Sequence, residues 1–324
     1  MTVTETNKHQ AQDAQQLRAV RIHSYGGPEV VGIDLIDAPA RPGAGEVLVR
    51  VHAAGVNGLD WKVREGFVRD VYPLAMPATL GIELSGVVLQ VGADVTTLKI
   101  GDRVMGPLGG LGAYADQVVA VADRLSLTPS GLSDLEAAAI PVAALTAWQV
   151  LQASSLDLNG RRVLVHGAAG AVGGFVVQFA TAAGATVIAT ASGRSADHVG
   201  RIGADEVIDY RTERFEDRLQ DLDLVVDLIG GEVVDRSWST LSPNGVLIST
   251  AAPDLQRRTP AGRKGVWFMM RPDAERLRAI ADQVAAGELV STIAEVVAFS
   301  DIPAAIERNR TGHAPGKIVV DFTR

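Results

Sequence analysis

The chain has 324 residues, with 30 basic and 38 acidic side chains and a formal net charge of −8. An acidic surface repels phosphate backbones and anionic lipids, so neither nucleic acid nor a membrane is an expected partner. The chain has no cysteine, which excludes disulfides, thiol nucleophiles and thiolate metal ligands. A cytoplasmic location is expected, because the first residues lack the apolar segment of a secretory signal and no run of about 18 apolar residues follows.

Residues 1–17 are polar and rich in glutamine, and they are predicted to form a disordered tail. From residue 18 to residue 143 the sequence predicts a β-rich domain. Val47, Val49 and Val51 alternate with other residues, as expected for a strand with one buried face. Closely spaced glycine turns between such runs favour a compact domain.

The pattern changes at Ser133, which has the spacing of a helix capping box with Glu136. Pro141 is expected to kink the following helix or to split it in two. Apolar strands then alternate with helices through residues 144–268. A parallel sheet covered by helices on both faces produces this alternation, so we predict a doubly wound α/β nucleotide-binding domain. Its predicted strands start at Val163, Ala185, Glu206, Asp223 and Gly245.

The last part of the chain, residues 269–324, reads as a helix from Pro272 to Ala286 and a closing strand that starts at Lys317. A segment of this size is too small to form its own hydrophobic core. We therefore expect it to pack back on the first domain.

A glycine-rich turn stands between the first strand and the first helix of the doubly wound domain. It runs from His166 to Gly174 and reads A-x-G-x-x-G from Ala168. Gly170 is expected to let the backbone approach a pyrophosphate, and Gly173 to let the helix pack closely on the strand. The strand–turn–helix context favours dinucleotide binding over a merely structural turn. The predicted cofactor contacts of this turn are Ala168, Ala169, Gly170, Ala171, Val172 and Gly173.

The end of the next strand indicates which nicotinamide cofactor is used. NAD enzymes usually have an Asp or Glu there, which binds the ribose hydroxyls. Residues 191–195 of this chain read Ala-Ser-Gly-Arg-Ser, so no carboxylate is present to repel a 2′-phosphate, and Ser192 and Arg194 are available to bind one. We predict NADPH as the cofactor; a solvated surface loop is the alternative.

Further motifs follow one another along the chain: Ala19–Glu29, Ala54–Gly66, Lys99–Val104, Ala144–Trp148, Gly203–Tyr210 and Gly316–Val319. Over nearly all of residues 18–324 the chain resembles the zinc-free quinone oxidoreductase branch of the medium-chain dehydrogenase/reductase superfamily. The resemblance implies a GroES-like substrate domain, a Rossmann domain inserted before the C-terminal segment, and a cleft between the two domains.

The zinc-dependent members of this superfamily have a cysteine at the position of Asn57 and a histidine at the position of Ile82, before Glu83. Isoleucine cannot bind a metal and the chain has no cysteine, so no metal site is predicted. Without a Lewis acid, the alcohol–carbonyl reaction loses its main means of stabilising an alkoxide. Electron-poor acceptors such as quinones and conjugated enones need less help, and they are the predicted substrates.

The resemblance places Asn57, Asp60 and Lys62 near the nicotinamide and the acceptor, as the catalytic residues. Asn57 and Lys62 would donate hydrogen bonds to a carbonyl oxygen as charge develops on it, and Asp60 would orient Lys62 or the ribose hydroxyls. The alternative for Asn57 and Asp60 is the stabilisation of a turn. Many relatives have a tyrosine at the position of Lys62, so Tyr72 and water are alternative proton donors.

Other cofactor contacts are implied by position in the resemblance. Thr146 would reach the nicotinamide amide, and Tyr210 would lie beside the adenosine phosphate. The remaining implied contacts are Ile229, Thr250, Ala251, Phe268, Gly316 and Lys317. Relatives commonly pair through an edge of the Rossmann sheet, so a homodimer is expected, with the strand that starts at Gly245 as the candidate edge.

Two other functions stay open at this point. One is an enoyl or polyketide-tailoring reductase of the same branch. The other is a sensor that binds NADPH without turnover, which the lack of an obvious acid–base pair favours. A zinc alcohol dehydrogenase is the further alternative that metal analysis would detect.

Overall fold

A computed structural model describes residues 16–70, 73–312 and 315–324. Most of the predicted tail, residues 1–17, lies outside this part of the chain, and Leu17 already belongs to the first strand. Tyr72, the alternative proton donor, also lies outside the described residues.

The described residues between 17 and 139 contribute strands to two β-sheets and form two short α-helices. The elements are β1 (Leu17–Ile22), β2 (Val31–Ile36), β3 (Glu46–Gly55), α1 (Gly58–Arg64), β4 (Ala78–Thr79), β5 (Glu83–Val91), β6 (Arg103–Pro107), β7 (Gln117–Val121), β8 (Ser126–Leu127) and α2 (Asp134–Ala139). The smaller sheet has the order β2-β1-β4, and the larger sheet is built on β3, which pairs with β5 and β7. Val47, Val49 and Val51 of β3 are buried in the core of this domain, as their alternation predicts.

The junction between the two domains follows the predicted pattern. Glu136 N donates to Ser133 Oγ at 3.2 Å, and Ser133 N donates to Glu136 Oε2 at 2.8 Å, so the capping box at the start of α2 is confirmed. Pro141 is the first residue of α3 (Pro141–Ala153). It splits the helical run in two, because a proline is tolerated in a first turn, where its missing N–H would have no partner.

The middle of the chain forms one six-stranded sheet with helices on both faces. The elements after α3 are β9 (Arg162–His166), α4 (Ala171–Ala182), β10 (Thr186–Ala191), α5 (Ala196–Arg201), β11 (Glu206–Asp209), β12 (Leu222–Asp227), α6 (Glu232–Ser237), β13 (Leu241–Ser249), α7 (Leu255–Arg258) and β14 (Lys264–Trp267). The strands pair in parallel in the order β11-β10-β9-β12-β13-β14. The side chains of β9 alternate between two apolar clusters: Val163 and Val165 belong to one, and Leu164 belongs to another. The doubly wound fold is confirmed.

One expectation about this sheet is wrong. The strand that starts before Gly245, β13, lies between β12 and β14 and is not an edge strand. The edge on this side of the sheet is β14, and the opposite edge is β11. Strand β14 is short, begins with Lys264 and has only weak apolar patterning, so the sequence did not indicate it. Trp267, at the end of this edge strand, is partly exposed.

The C-terminal segment returns to the first domain. Its elements are α8 (Ala274–Ala285), β15 (Ile293–Ala298), α9 (Ile302–Thr311) and β16 (Lys317–Asp321). Strand β16 pairs antiparallel with β3 and parallel with β15, so the segment extends the larger sheet of the first domain. Helix α9 contacts α1 through an ion pair between Glu307 and the buried Arg64. The order β16-β3-β5 brings Lys317, Gly55 and Glu83 to the same end of three adjacent strands.

Candidate functional site

The glycine turn has the close packing that its sequence predicts. Strand β9 ends at His166, and α4 begins directly after Gly170. A Cβ on Gly173 would lie 2.2 Å from the carbonyl oxygen of Gly167, so no other residue fits at this position. A Cβ on Gly170 would meet nothing closer than 3.4 Å, which leaves open space beside the backbone at the N-terminus of α4. Free N–H groups at such a helix start favour an anion.

A buried histidine lies at the base of this turn. His166 Nδ1 lies within hydrogen-bond distance of Thr190 Oγ1, at 2.9 Å, and His166 Nε2 within hydrogen-bond distance of Ser237 Oγ, at 3.0 Å. Burial lowers the pKa of His166 to about 4, with Asp227 acting in the opposite direction. The imidazole is therefore neutral at physiological pH, and it links three elements of the Rossmann domain beneath the turn.

Several of the predicted cofactor contacts meet at one edge of the sheet. Ile229 is 57% exposed and lies over the turn, with its Cδ1 3.0 Å from the place of a Cβ on Gly167. Gly316 N donates to Ala169 O at 2.9 Å, so the C-terminal segment touches the turn directly. The adjacent strand ends carry the other contacts, Thr250, Ala251 and Phe268. The carboxyl edge of a parallel sheet is where such folds bind ligands.

The hydroxyl of Thr146 is engaged within its own helix. It donates to Val142 O at 2.6 Å in α3, and the residue is buried. In a contact with a nicotinamide amide, this hydroxyl oxygen would have to accept the hydrogen bond, because its proton is in use.

The end of β10 is where the structure corrects the sequence argument. Arg194 is exposed and has no hydrogen-bond or ion-pair partner among the described residues, which leaves its guanidinium available. Ser192 Oγ lies 3.3 Å from Ser195 Oγ. A carboxylate is nevertheless present: Asp209, at the end of the neighbouring β11, accepts a hydrogen bond from Gly193 N at 2.9 Å. The linear sequence places Asp209 far from this loop, and parallel pairing of the strands brings it there.

Tyr210 follows Asp209 and is 52% exposed, so it is not a core residue. The guanidinium of Arg211 lies 5.8 Å from its ring centroid. The tyrosine and Arg194 therefore stand at the ends of two adjacent strands on the exposed rim of the sheet.

Asn57 and Asp60 organise the start of α1. Asp60 Oδ2 accepts hydrogen bonds from Asn57 N at 2.8 Å and from the Tyr114 hydroxyl at 2.7 Å, while its Oδ1 has no partner in the part of the chain that the structure describes. Burial raises the pKa of Asp60 to about 6, although the two hydrogen bonds and Lys317 lower it and Glu83 raises it further. Asp60 is buried and forms no hydrogen bond or ion pair with Lys62 among the described residues, so the structure does not show it orienting that lysine, and a role toward the ribose hydroxyls stays a prediction.

The side chain of Asn57 belongs to a buried polar network. Its Nδ2 donates to Glu83 Oε1 at 2.8 Å and to Gly55 O at 3.2 Å, and its Oδ1 accepts from Lys317 Nζ at 2.6 Å. Lys317 also forms an ion pair with Glu83, whose Oε2 accepts from Val142 N at 2.7 Å at the start of α3. Both protons of the Asn57 amide are in use, so a hydrogen bond to a substrate would require one of these contacts to break.

Lys317 is only 4% exposed, and its charge faces Glu83 and Asn57. Of the two predicted cofactor contacts in this segment, Gly316 touches the glycine turn through its backbone. The ammonium group of Lys317 lies instead in the interior of the substrate domain. A Cβ on Gly55 would lie 2.3 Å from Glu83 Oε1 and 2.6 Å from Lys317 Cε, so this glycine makes the space for the pair.

Lys62 is different from the other two predicted catalytic residues. It is half-buried on α1, and no described residue forms a hydrogen bond or an ion pair with its ammonium group. Burial lowers the pKa of Lys62, and the carboxylate of Asp227 partly restores it. Asp227 ends β12 and is itself held by Gly230 N at 3.0 Å. The ammonium group of Lys62 lies 5.6 Å from the centroid of the Trp61 ring and interacts electrostatically with Asp227 at the ligand-binding edge of the Rossmann sheet.

The described residues contain no group of three or more His, Asp or Glu side chains that could hold a metal ion. Ile82, at the position of the histidine ligand in zinc-dependent members, is a buried apolar residue. Within the same described ranges, no helix is both long and apolar enough to cross a membrane.

Sequence reasoning missed Glu83 and Tyr114 as parts of the site. Both are completely buried. A signal was present for the first of them, because a lone carboxylate among apolar strand residues needs a buried partner. Nothing in the sequence indicated that the partner would be Lys317, which comes 234 positions later by residue number.

Known proteins match this chain over almost its whole length. The family "Alcohol dehydrogenase GroES-like domain" matches residues 43–130, and "Zinc-binding dehydrogenase" matches residues 202–320. The chloroplast envelope quinone oxidoreductase homolog of Arabidopsis thaliana is 32% identical, covering 94% of this chain and 98% of that protein.

Solved structures agree. The quinone oxidoreductase of Coxiella burnetii superposes with a TM-score of 0.89 at 32% identity, covering 95% of this chain and 99% of that one. The Escherichia coli quinone oxidoreductase, solved with NADPH, gives 0.84 at 26% identity, covering 94% and 99%. The β-rich domain is therefore GroES-like, as the resemblance implied. The chain is an NAD(P)H-dependent oxidoreductase, and it belongs to the zinc-free quinone oxidoreductase branch of the medium-chain dehydrogenase/reductase superfamily.

Proposed function

We propose that the protein transfers hydride from NADPH to a quinone or a conjugated enone without a metal ion. The observation that carries the proposal is Lys62, a half-buried ammonium group that has no hydrogen-bond or ion-pair partner among the described residues, lies 5.6 Å from the centroid of the Trp61 ring and interacts electrostatically with Asp227 of the Rossmann domain. A cation held in this way can stabilise the negative charge that develops on an acceptor oxygen during reduction.

The residues present fit a dinucleotide. The open space at Gly170 and the enforced packing at Gly173 suit a pyrophosphate at the start of α4. Arg194, exposed and unpaired within the described ranges, suits the 2′-phosphate of NADPH. When bound, the cofactor supplies the hydride. The protein supplies the binding groups, the orientation and the charge near the acceptor.

The acceptor class follows from the groups at the site. The positions of two zinc ligands hold Asn57 and Ile82, and Asn57 is committed to Glu83 and Lys317. Lys62 is then the main electrophilic group available to the acceptor oxygen. One ammonium group gives less stabilisation than a Lewis acid, which suits acceptors that are already electron-poor.

The test is to follow NADPH oxidation with a panel of quinones and conjugated enones, using wild type, Lys62→Met and the surface control Lys99→Met. We expect Lys62→Met to lower kcat/KM by about 10- to 100-fold, the usual effect of losing one charge-stabilising donor. Lys99 is exposed, and its substitution should leave the kinetics unchanged.

Three results would contradict the proposal. Binding of NADPH without turnover of any acceptor would favour the sensor. Unchanged kinetics in Lys62→Met would remove this lysine from the mechanism. Stoichiometric zinc in the active protein, found by metal analysis, would favour the zinc alcohol dehydrogenase.

The cytoplasmic location and the homodimer stay predictions. Cell fractionation tests the first, since one relative is a chloroplast envelope protein. Sedimentation of wild type tests the second, and the edge strand β14 is the place to introduce a proline that would block pairing of two sheets.

A further inference from the structure

Two adjacent residues of the C-terminal segment contact three separate parts of the site. Gly316 N donates to Ala169 O in the glycine turn. Lys317 Nζ contacts Asn57 Oδ1, at the residue preceding α1, and forms an ion pair with Glu83. Through Glu83 the same network reaches Val142 N and the first turn of α3.

We propose that Lys317 is a positioning residue, which holds the start of α1 and hence Lys62 in register with the glycine turn, and that its ammonium group does not bind the cofactor. The proposal rests on the function proposed for Lys62.

The geometry of the network supports this role. Asn57 immediately precedes α1, and its side chain is held by contacts from β16, β5 and β3. Lys62 lies about one turn further along the same short helix, so a rotation or shift of the helix start moves its ammonium group. The Lys317 ammonium and the Glu83 carboxylate are almost fully buried, and such a pair is retained only where its geometry is satisfied by further hydrogen bonds.

The other tie to α1 comes from the same segment. Arg64, at the end of α1, is fully buried and pairs with Glu307 of α9, while Arg310 of α9 lies 3.0 Å from Glu307. The C-terminal segment thus holds both ends of α1, through Lys317 at the start and Glu307 at the end. Gly316, which lies between these two residues in the sequence, touches the glycine turn.

The test uses Lys317→Met and the double variant Lys317→Met/Glu83→Gln. The double variant removes both charges of the pair together, so neither Lys317 nor Glu83 leaves an unpaired charge behind, and we expect the fold to be retained. After loss of the lysine, Asn57 can rotate its amide and accept a hydrogen bond from the new glutamine. Lys99→Met is the matched control. The affinity for NADPH is measured by fluorescence, and kcat and KM are measured with the acceptor that wild type reduces best.

We expect the double variant to lower kcat about 10-fold while the Kd of NADPH changes less than about threefold. Combined with Lys62→Met, it should cause no further loss of kcat, because residues that act through one another are not additive. A rise of 10-fold or more in the Kd of NADPH with unchanged kcat would show that Lys317 binds the cofactor. Fully additive losses, or a lower melting temperature with unchanged kinetics, would equally overturn the proposal.

A readout that needs no turnover separates this inference from the proposed function. In protein with ¹³C-labelled lysine, the titration of the Lys62 amine is followed by NMR. Its pKa should move toward the ordinary lysine value in the double variant, as α1 loosens and Lys62 becomes more exposed, and should not move in Lys99→Met. If wild type reduces no quinone or enone, the proposed function fails, but the positioning role can still be tested. An unchanged pKa of Lys62 in the double variant would overturn that role.

Discussion

The two halves of the site place polar groups at the ends of adjacent strands, but they are built by different means. In the Rossmann domain the site is made of backbone and small residues, and Gly173 approaches Gly167 so closely that a side chain is excluded. In the substrate domain the site is made of long buried side chains from distant segments, with Lys317, Glu83 and Asn57 in mutual contact. The first kind of site is encoded locally, and the second only by the complete fold.

The largest effect is expected from a substitution in the Rossmann half of the site, which is built from backbone and small residues. In Gly173→Val the new side chain begins 2.2 Å from Gly167 O, so helix and turn must separate. We expect a loss of about 3 kcal/mol or more in the free energy of unfolding and a fall of roughly 100-fold in NADPH affinity. Denaturant unfolding and fluorescence titration measure the two.

The neighbouring glycine is the matched control. A Cβ on Gly174 would meet only Ile202 Cδ1 at 3.6 Å, an ordinary contact. Gly174→Ala should keep NADPH binding and gain about 0.5–1 kcal/mol of stability, the usual gain inside a helix. If both substitutions had the same effect, tight packing at Gly173 would not be what defines the turn.

The same difference explains what the sequence could and could not predict. The alternation of strands and helices, the helix start at Ser133 and the turn at Gly170 follow from residue patterns within a few positions of each other, and the structure confirms these elements. The short edge strand β14 was missed because four residues carry little periodicity.

The missed side-chain contacts are all long-range. The carboxylate of Asp209 reaches the loop after β10 because β11 pairs beside it, and no local pattern encodes that pairing. The ion pair between Lys317 and Glu83 requires three strands from different parts of the chain to be adjacent. A pattern can indicate that Glu83 needs a partner, but the topology decides which residue it is.

A smaller effect is expected at the rim of the backbone-built half, where one charge selects the cofactor. Arg194→Ala should lower the preference for NADPH over NADH by about 10- to 100-fold, since a charge-assisted contact contributes roughly 1.5–3 kcal/mol. Asp209→Asn, which removes the carboxylate beside Gly193, should raise the preference a few-fold. Kd values for both cofactors measure these changes. Equal preference in wild type and Arg194→Ala would show that the arginine is only part of a solvated loop.

The smallest effect distinguishes the two halves by their response to acid. His166 has a pKa lowered to about 4, below the ordinary value near 6.5, so the unfolded chain binds the proton first and stability is lost as the pH falls from about 7 to 4. Asp60 has a pKa raised to about 6. Its folded form binds the proton first, so its contribution is complete below about pH 4 and is lost as the pH rises through 6.

These opposite slopes should partly cancel in wild type. Between pH 7 and pH 5, His166 removes about 2 kcal/mol and Asp60 returns about 1 kcal/mol, from shifts of this size at 1.36 kcal/mol per pKa unit. Asp60→Asn should therefore make the protein more sensitive to acid over this range, and His166→Gln less sensitive. The free energy of unfolding, measured in urea at pH 5, 6 and 7, checks both signs. If the two variants shifted the slope in the same direction, one of the buried groups would have been assigned the wrong charge state.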